Sequence, residues 1–417
     1  MAGKIRFGIF GCSRGSGLIT CIYGSGAEIV ALCDYRPSAK EYVYSNYPSV
    51  KDVKFFDNFD EFIQEDMDAV LIANYFCEHA EYAVRALRAG KNVLSETLSN
   101  ITLAEGVMLC RAVEETGKTY ALLENYPYFK GNLELEKIYK EGTLGKVVYA
   151  EGSYVHPMDA AEQNSLAPGL RHWRNWTPRS YYLTHALCPV MQMTDTLPVR
   201  VTAMASFAPE LSKGTALRSG DAAVIVMCQT DNDAVLRVTG WANYAPHGNE
   251  YRLYCTKGGA EVNRYNGNIH ISYKQHSRPE GEERCDIEYT PEWPVKELGE
   301  LADKEGHDGG DFWVIYDFVK ALEEGRKPYW DVYRATRAAS VAILAWRSVL
   351  NGGQPMDIPD FRREEDRRKY EFDNISPYPD ENYRVNIPCS SRPYAPTEED
   401  LAALKERFGQ EADLPMK

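Results

Sequence analysis

The sequence predicts a two-domain α/β protein: a Rossmann domain on a doubly wound parallel sheet, then an α+β domain on a large, mostly antiparallel open sheet. Two observations predict this fold class. Strand and helix patterns alternate up to about residue 125, as in a parallel sheet with helical crossovers. Period-two apolar runs dominate after residue 126, as in antiparallel strands with one covered face. We therefore place domains at 1–125 and 126–361, followed by an arm and a short helix at 362–417.

The first strand–helix–strand unit has the pattern of a dinucleotide-binding turn. It runs from Lys4 to Asp34 and reads KIRFGIFGCSRGSGLITCIYGSGAEIVALCD. The glycines let the backbone approach a pyrophosphate, and the next helix aims free N–H groups at it. Asp34 ends the second strand roughly twenty residues past the glycines, where an acid hydrogen-bonds an adenosine ribose hydroxyl. This carboxylate repels the 2′-phosphate of NADP and therefore favours NAD, although Arg36 could pair with that phosphate and so keeps NADP open.

The strict G-x-G-x-x-G spacing is not met, because Ser13 and Ser16 occupy two of its glycine positions. A tight turn without a ligand is therefore the alternative interpretation. Strand, helix, second strand and acid nevertheless follow one another in the order that a nucleotide site needs, so we expect bound NAD.

The remaining elements of the first domain follow in alternation. Helical patterns cover 37–47, 77–89 and 101–116, a cap within 57–60 precedes a short helix, and strand patterns cover 67–73, 92–94 and 120–123. Ligands bind at the carboxyl ends of parallel strands, and polar residues follow several of these strands; capping a helix or bracing a loop is their alternative role. The predicted cofactor contacts are Gly11, Cys12, Ser13, Arg14, Gly15, Asp34, Arg36, Asn74, His79, Glu96 and Asn125.

The second domain begins with a helical pattern at 132–141 and continues with strands. The period-two runs are KVVYAEGSYVH, VRVTAMASFA, AAVIVMCQT, AVLRVTGWANY, EYRLYCT and NIHISYK. The residues 231–233, Asp-Asn-Asp, separate two of these runs and are typical of a hairpin turn. Helical patterns return at 312–325 and 332–350, and a capped amphipathic helix is expected at 397–409.

The densest group of candidate functional residues lies in LRHWRNWTPRSYYLTHALCPV, residues 170–190. Tyr182 and His185 stand three apart, so one helical turn places them on the same face. A phenol and an imidazole so placed are a plausible acid/base pair, whereas a hydrogen-bonded core histidine is the alternative. We expect Arg171, Trp173 and Arg174 to contact substrate.

A second candidate stretch, HDGGD, precedes the helical pattern at 312–325. His307 is a candidate substrate contact, and the glycine pair that follows would let the backbone pass close to a ligand. A plain turn into the helix is the alternative.

Composition excludes several functions. The net charge of −14 over 417 residues argues against nucleic acid or an anionic membrane as partner. Ten cysteines occur without a C-x-x-C pair or a zinc-like spacing, so we expect reduced thiols and no metal site. The first strand begins near the N-terminus and no apolar run reaches membrane-spanning length, which indicates a cytoplasmic protein.

These residues resemble the Gfo/Idh/MocA family of two-domain oxidoreductases up to about Phe361. The resemblance rests on GIFGCSRGSG, ALCDYRP, AVRALRAGKNVLSETLS and NGGQPMDIPDF. Most dehydrogenases of that family carry Glu-Lys-Pro where this chain has Glu96-Thr97-Leu98. The resemblance implies a bound nicotinamide cofactor, a small sugar-like substrate, and association as a dimer or tetramer through the open face of the second sheet.

Within the family, the chain is most similar to NAD-dependent glycoside hydrolases typified by α-N-acetylgalactosaminidases, which also lack the lysine. The similar segments are ALLENYPYF, YAEGSYVH, LRHWRNW, YYLTHALCPV and HDGGDFWVIYDF. The matching positions are Glu124, Asn125, Tyr154, Tyr182, His185 and, more loosely, His307. Departures from the usual pattern are Leu183 in place of proline, Ala186 and Cys188 in place of glycines, and Thr97-Leu98 in place of Val-Pro.

The resemblance implies hydrolysis through transient oxidation of a sugar. C-3 is oxidised, C-2 loses a proton, the C-1 substituent is eliminated, water adds, and the hydride returns, so tightly bound NAD is regenerated each turnover. His185 would assist at the C-3 hydroxyl, Tyr154 or Tyr182 at C-2, and Glu124 would orient hydroxyls. A paired-carboxylate glycosidase using Glu96 and Glu124, a conventional sugar or polyol dehydrogenase, and a non-catalytic NAD-binding protein are the alternatives.

Overall fold

A computed structural model describes residues 3–409. Within these residues the chain forms two compact units. Unit 1 comprises 3–134, 291–337 and 360–372, and unit 2 comprises 135–290, 338–359 and 373–409. The boundaries at 125 and 361 stay a sequence-based prediction, and 410–417 of the predicted arm lie outside the described residues.

Unit 1 contains a six-stranded sheet in the order β3-β2-β1-β4-β5-β6, and every pair in it is parallel. Its strands are β1 (Arg6–Phe10), β2 (Glu28–Cys33), β3 (Lys54–Phe56), β4 (Ala69–Ile72), β5 (Asn92–Glu96) and β6 (Tyr120–Leu123). This is the doubly wound order of a Rossmann sheet, and the order reverses between β1 and β4. The predicted fold class of the first domain is confirmed.

The central strands are apolar because both faces of the sheet are covered. Phe7, Ile9 and Phe10 of β1 are at most 1% exposed. The α-helices of the described chain are α1 (Ile19–Gly24), α2 (Pro37–Asn46), α3 (Phe59–Phe62), α4 (His79–Arg88), α5 (Leu103–Thr116), α6 (Lys130–Lys140), α7 (Ala160–Leu166), α8 (Thr184–Thr194), α9 (Lys296–Ala302), α10 (Gly310–Glu324), α11 (Val332–Leu350), α12 (Glu364–Tyr370) and α13 (Glu398–Phe408). The predicted cap within 57–60 is Asn58, which accepts from the Asp60 N–H.

Helix α10 lies far along the chain yet packs in unit 1. Its Phe318 ring meets Phe7 of β1 edge-on, with ring centroids 6.0 Å apart. Phe312 lies close against Gly24 at the end of α1, where a β-carbon would come within 3.3 Å of its ring. The apolar stripe of α10 therefore completes the core under the first βα unit.

Unit 2 contains a nine-stranded sheet in the order β14-β13-β12-β11-β7-β10-β9-β8-β15. Its strands are β7 (Val147–Val155), β8 (Pro198–Phe207), β9 (Asp221–Thr230), β10 (Val235–Ala242), β11 (Gly248–Cys255), β12 (Gly258–Val262), β13 (Ile269–Tyr273), β14 (Asp286–Tyr289) and β15 (Met356–Asp357). All pairs are antiparallel except β7 with β10. The mostly antiparallel sheet is as predicted, and residues 231–233 form the turn between β9 and β10.

The two faces of this sheet differ in character. Helix α8 packs on β7, β10 and β11. Elsewhere on the sheet, charged side chains pair across strands: Arg237 lies 3.0 Å from Glu151, and Arg252 lies 2.5 Å from Glu261. Exposed apolar side chains such as Met227, 49% exposed, also occur on the strands.

Two further observations concern the described residues as a whole. No helix in the range 3–409 is long and apolar enough to cross a membrane. All ten cysteines lie in this range, and each is a free thiol.

Gly152 is where β7 comes closest to α8. A β-carbon at this position would lie 2.0 Å from the carbonyl oxygen of Ala186, which real structures do not allow. We expect Gly152→Ala to destabilise unit 2 by about 1–3 kcal/mol through overpacking, seen as a thermal transition several degrees lower in calorimetry. The matched control is Val148→Thr on the same strand, where the side chain is 54% exposed and the change should be close to neutral. An unchanged transition in Gly152→Ala would contradict the close approach.

Candidate functional sites in the two units

The turn after β1 is shaped by packing against the neighbouring strand. Gly11 has φ +93°, and a β-carbon on it would lie 2.3 Å from the carbonyl carbon of Ala73. A β-carbon on Gly15 would lie 2.5 Å from the Ile9 side chain. Both glycines are therefore required by the protein's own packing. The same turn leaves the N–H groups of Ser13 and Arg14 without an acceptor in residues 3–409.

Asp34 lies at the end of β2, as predicted, and its carboxylate is already well supplied with donors. The Cys12 N–H donates to Oδ2 at 2.8 Å, and Arg36 donates from its backbone N–H, Nε and Nη2 at 2.8–3.0 Å. Burial raises the pKa of the Cys12 thiol to about 12, so this cysteine stays protonated. The Asp34 charge is thus balanced by Arg36, and the preference for NAD over NADP stays a prediction.

Arg14 is held by two carboxylates from different parts of the chain. Its Nε donates to Glu96 Oε1 at 2.6 Å, and its Nη1 and Nη2 donate to the two oxygens of Asp311 at 3.0 and 2.6 Å. The contact to Asp311 is a bidentate pair, the strongest geometry that arginine forms with a carboxylate. The sequence pattern did not identify Asp311 as a site residue; only the glycines and the histidine before it were predicted.

Asp311 also accepts from two further groups. Asn125 Nδ2 donates to Oδ1 at 2.7 Å, and His307 Nδ1 lies 2.9 Å from Oδ2. Burial alone would raise the pKa of Asp311, but the His307 hydrogen bond and the Arg14 guanidinium outweigh it and hold the pKa well below its usual range. His307, predicted as a substrate contact, therefore lies beside Asp311 in unit 1.

Gly309 and Gly310 are enclosed by the protein. A β-carbon on Gly309 would lie 2.9 Å from the Trp293 ring, and one on Gly310 would lie 2.4 Å from the Asn125 carbonyl oxygen. The predicted turn into α10 is therefore present, and its glycines are explained by these contacts.

Other predicted cofactor residues lie at the carboxyl ends of β4, β5 and β6. Asn74 donates to Glu78 at 2.8 Å. His79 is buried, with Nδ1 3.0 Å from the Leu98 carbonyl oxygen and Nε2 3.3 Å from that of Asn74. Burial lowers the pKa of His79, so the ring is neutral near pH 7 and donates to one of these oxygens. Glu124 follows β6 and is fully buried.

Two amide oxygens at this edge are buried without a donor in residues 3–409, Asn74 Oδ1 and Asn125 Oδ1. A buried acceptor left unpaired is costly, and hydroxyl or amide donors of a nicotinamide dinucleotide would satisfy them. Together with the free N–H groups of the turn, which suit a pyrophosphate, these atoms fit NAD.

Unit 2 brings three predicted catalytic side chains together. Tyr182 ends a 3₁₀-helix, Arg179–Tyr182, and His185 is the second residue of α8. The His185 ring lies 5.8 Å from the Tyr182 ring and 4.9 Å from that of Tyr154 on β7, both edge-on. The Tyr251 hydroxyl donates to the His185 carbonyl oxygen at 2.7 Å and so fixes the start of the helix.

Arg174 completes this cluster. Its Nη1 donates to the Tyr182 hydroxyl oxygen at 2.7 Å, and its guanidinium lies 4.5 Å above the Trp173 ring. A cationic donor to a phenol oxygen favours the phenolate form. Arg171 lies elsewhere, 4.5 Å above the ring of Tyr383 in the arm.

A second cation lies behind the cluster, and the sequence analysis did not identify it. Arg179 is 2% exposed, and its guanidinium lies 4.1 Å from the centre of the Trp241 ring. That ring lies 5.2 Å from Tyr182. Burial lowers the pKa of Arg179 to about 10, and the group still carries its charge at pH 7. Its neighbours in the sequence, Pro178 and Ser180, gave no sign of this role.

Sequence comparison identifies two domains in the chain. Residues 5–123 match the NAD-binding Rossmann fold of the Gfo/Idh/MocA oxidoreductase family, and residues 212–367 match the C-terminal domain of glycosyl hydrolase 109. A glycosyl hydrolase family 109 protein of Stenotrophomonas maltophilia is 25% identical over 86% of this chain and 89% of its own length. Another, from Phocaeicola vulgatus, is 27% identical over 81% of this chain and 79% of its own length.

Solved structures share the fold. A levoglucosan dehydrogenase in complex with NADH and levoglucosan superposes with a TM-score of 0.71 at 19% identity, over 86% of this chain and all of that one. An oxidoreductase from Agrobacterium radiobacter in complex with NAD⁺, L-tartaric acid and magnesium gives a TM-score of 0.67 at 14% identity, over 85% and 98% of the two chains. At these identities the likeness concerns the fold.

The ion pair of Arg14 with Asp311 gives a test of stability against pH. Asp311→Asn leaves Arg14 short of a counter-charge, so we expect the free energy of unfolding of unit 1 to fall by about 3–5 kcal/mol at pH 7. Because the folded-state pKa of Asp311 is depressed, its contribution is present above the unfolded pKa near 3.9 and is lost as pH falls below it. The difference in the free energy of unfolding between wild type and variant, measured by urea unfolding, should therefore become smaller from pH 5 towards pH 3.

The matched control is Asp308→Asn. Asp308 is exposed with φ +49°, a conformation that asparagine tolerates, and its substitution should leave stability unchanged at every pH. If the difference in stability between wild type and Asp311→Asn stays constant with pH, the role of the Asp311 charge is contradicted.

Proposed function

Because the chain joins a Gfo/Idh/MocA NAD-binding domain to the C-terminal domain of glycosyl hydrolase 109, we propose that it is an NAD-dependent glycoside hydrolase. The observation that carries the proposal is the hydrogen bond from Arg174 to the Tyr182 oxygen beside His185. A tyrosine whose phenolate form is stabilised, next to an imidazole, is suited to removing a carbon-bound proton. A hydrolase of this kind needs that step, whereas a simple dehydrogenase does not.

The reaction proceeds by transient oxidation of the sugar. Bound NAD supplies the chemistry of hydride acceptance from C-3 and hydride return, so the net reaction is hydrolysis. The C-3 ketone acidifies the C-2 proton. Loss of that proton and cleavage of the C-1–oxygen bond give a C-1=C-2 double bond, and the leaving group departs with a proton. Water then adds across this bond before C-3 is reduced again.

The residues of unit 2 provide the proton transfers. His185 accepts the proton of the C-3 hydroxyl as the ketone forms. Tyr182, as a phenolate stabilised by Arg174, takes the C-2 proton. Tyr154 is the second candidate for that base, and it packs on the other side of the His185 ring.

The residues of unit 1 hold the cofactor. The free N–H groups of Ser13 and Arg14 bind the pyrophosphate, and Asp34 binds the adenosine ribose once Arg36 moves aside. We assign the orientation of sugar hydroxyls to Glu124, which is fully buried and therefore reaches the sugar only once neighbouring side chains move aside. The homo-oligomer expected from the resemblance stays a prediction, which light scattering on the purified protein tests.

A panel of α- and β-nitrophenyl glycosides tests the function. We expect the purified protein, without added cofactor, to release nitrophenol without accumulating NADH, because each hydride is returned. Removal of bound NAD should abolish release, and added NAD should restore it. In D₂O the product should carry deuterium at C-2.

Other results would contradict the proposal. Full activity after NAD removal would indicate a paired-carboxylate glycosidase. NADH that accumulates with free sugars, without nitrophenol release, would indicate a conventional dehydrogenase. NAD that binds while no sugar changes its absorbance would indicate a non-catalytic NAD-binding protein.

Tyr182→Phe tests the assignment of the base. Without the phenol, we expect kcat to fall roughly 10²–10⁴-fold, the usual contribution of a general base, and exchange of the C-2 proton with solvent to stop. The matched control is Tyr254→Phe on β11, where the side chain is 46% exposed and activity should not change. Exchange that persists in Tyr182→Phe and stops in Tyr154→Phe would move the role to Tyr154.

A further inference from the structure

A cavity in unit 2 is bordered by the C-terminal arm. Its volume is about 510 Å³, within the roughly 300–1,000 Å³ typical of small-molecule sites. Trp176 forms one wall, and Tyr383, Ser391 and Tyr394 of the arm form others. Trp176 and Tyr383 have ring centroids 6.3 Å apart. The cavity thus presents aromatic faces and a hydroxyl to a ligand.

The arm is fixed where it forms these walls. The Trp346 indole N–H donates to the Pro388 carbonyl oxygen at 2.7 Å. The Ser391 N–H donates to the buried Asp221 carboxylate at 2.8 Å. These contacts involve buried groups of the unit's core, so the cavity is formed in advance of binding.

Arg218 lies in the wall of the cavity without an anion. Its guanidinium lies 5.5 Å from the centre of the Trp176 ring, and its Nε is buried with no acceptor in residues 3–409. A buried guanidinium N–H without an acceptor is costly. Arg218 as a whole is partly exposed, so an anion in the cavity can offset this cost at the accessible part of the guanidinium.

Two further arginines lie close to the cavity, although neither is buried: Arg171 is partly exposed and Arg392 is exposed. Arg171 lies 4.5 Å above the ring of Tyr383, and Arg392, which also lines the cavity, lies 5.3 Å from the ring of Phe207. Neither side chain forms an ion pair in the described part of the chain.

This grouping is unusual for the protein. The net charge is −14, and several arginines elsewhere in unit 2 pair with acids, for example Arg237 with Glu151 and Arg347 with Asp373. The described lining of the cavity includes two arginines and no Asp or Glu. The Asp221 carboxylate behind Ser391 already accepts hydrogen bonds from the Ser391 N–H and hydroxyl. The two arginines of the lining therefore outnumber the one acid beside it, which favours an anion.

We propose that this cavity binds an acidic sugar, a pyranose that carries a carboxylate or sulfate group. The anion accepts hydrogen bonds from Arg218, with Arg392 as a second cation. The apolar C–H face of the ring packs on Trp176 and Tyr383. The Ser391 hydroxyl, whose own proton is donated to Asp221, accepts a hydrogen bond from a sugar hydroxyl. The proposal rests on the proposed function only in taking a carbohydrate as the ligand class.

Direct binding to the full NAD-loaded protein tests the proposal. The probes are a methyl glucuronide and the matching methyl glucoside, which differ only in a carboxylate or a hydroxymethyl group at C-5. By calorimetry we expect the acid to bind at least about tenfold more tightly, as one charge-assisted hydrogen bond allows, and added salt to reduce the difference.

Arg218→Gln should remove the preference for the acid. The matched control is Arg284→Gln, where the side chain is 64% exposed in the same unit and the preference should remain. Tyr383→Ala changes a residue that is 38% exposed, so it should weaken the binding of both sugars and leave the fold intact. Circular dichroism confirms that each variant is folded.

Three results would overturn the proposal: equal binding of the two sugars, inorganic sulfate binding as tightly as the acidic sugar, or AMP binding more tightly than either and competing with them. The glycoside panel separates this proposal from the proposed function. Acidic-sugar binding without turnover overturns only the hydrolase, whereas turnover with no preference for the acid overturns only the cavity assignment.

Discussion

The bidentate pair of Arg14 with Asp311 is the contact on which the nucleotide edge of unit 1 depends. It joins residues 297 positions apart and brings the entry of α10 to the turn after β1. Asp311 is 1% exposed, so its charge is stable only while these donors remain in place. Gly11 and Gly15 are fixed by packing at the same turn. The turn therefore has its geometry before any ligand binds.

This arrangement changes the expected role of the basic residues there. Arg14 is balanced by Glu96 and Asp311, and Arg36 is balanced by Asp34. A pyrophosphate would have to compete with these carboxylates for either guanidinium. The free N–H groups of the turn have no such competitor. Arg14 is thus better understood as a residue that positions the turn, and the backbone as the group that binds phosphate.

The sequence predicted the elements whose periodicity is strong and missed those that are short or exposed. The strands β12, β14 and β15 contain at most one buried residue each, so they lack the repeated buried apolar positions that mark a strand. The pairing of Tyr182 with His185 was predictable because it is local. The roles of Asp311 and Arg179 were not, since each depends on partners distant in sequence, and nothing in a local pattern reports a long-range ion pair or a cation behind an aromatic ring.

The charges around Tyr182 explain why it is a stronger candidate for the base than Tyr154. In the described residues no carboxylate pairs with Arg174, so its charge is directed to the phenol oxygen and to the Trp173 ring. Arg179 adds a second positive charge behind Trp241. Burial strengthens such interactions, because the effective dielectric constant inside a protein is lower than in water. Two cations with no nearby acid to neutralise Arg174 favour negative charge on Tyr182, which is the state that a base for a carbon-bound proton requires.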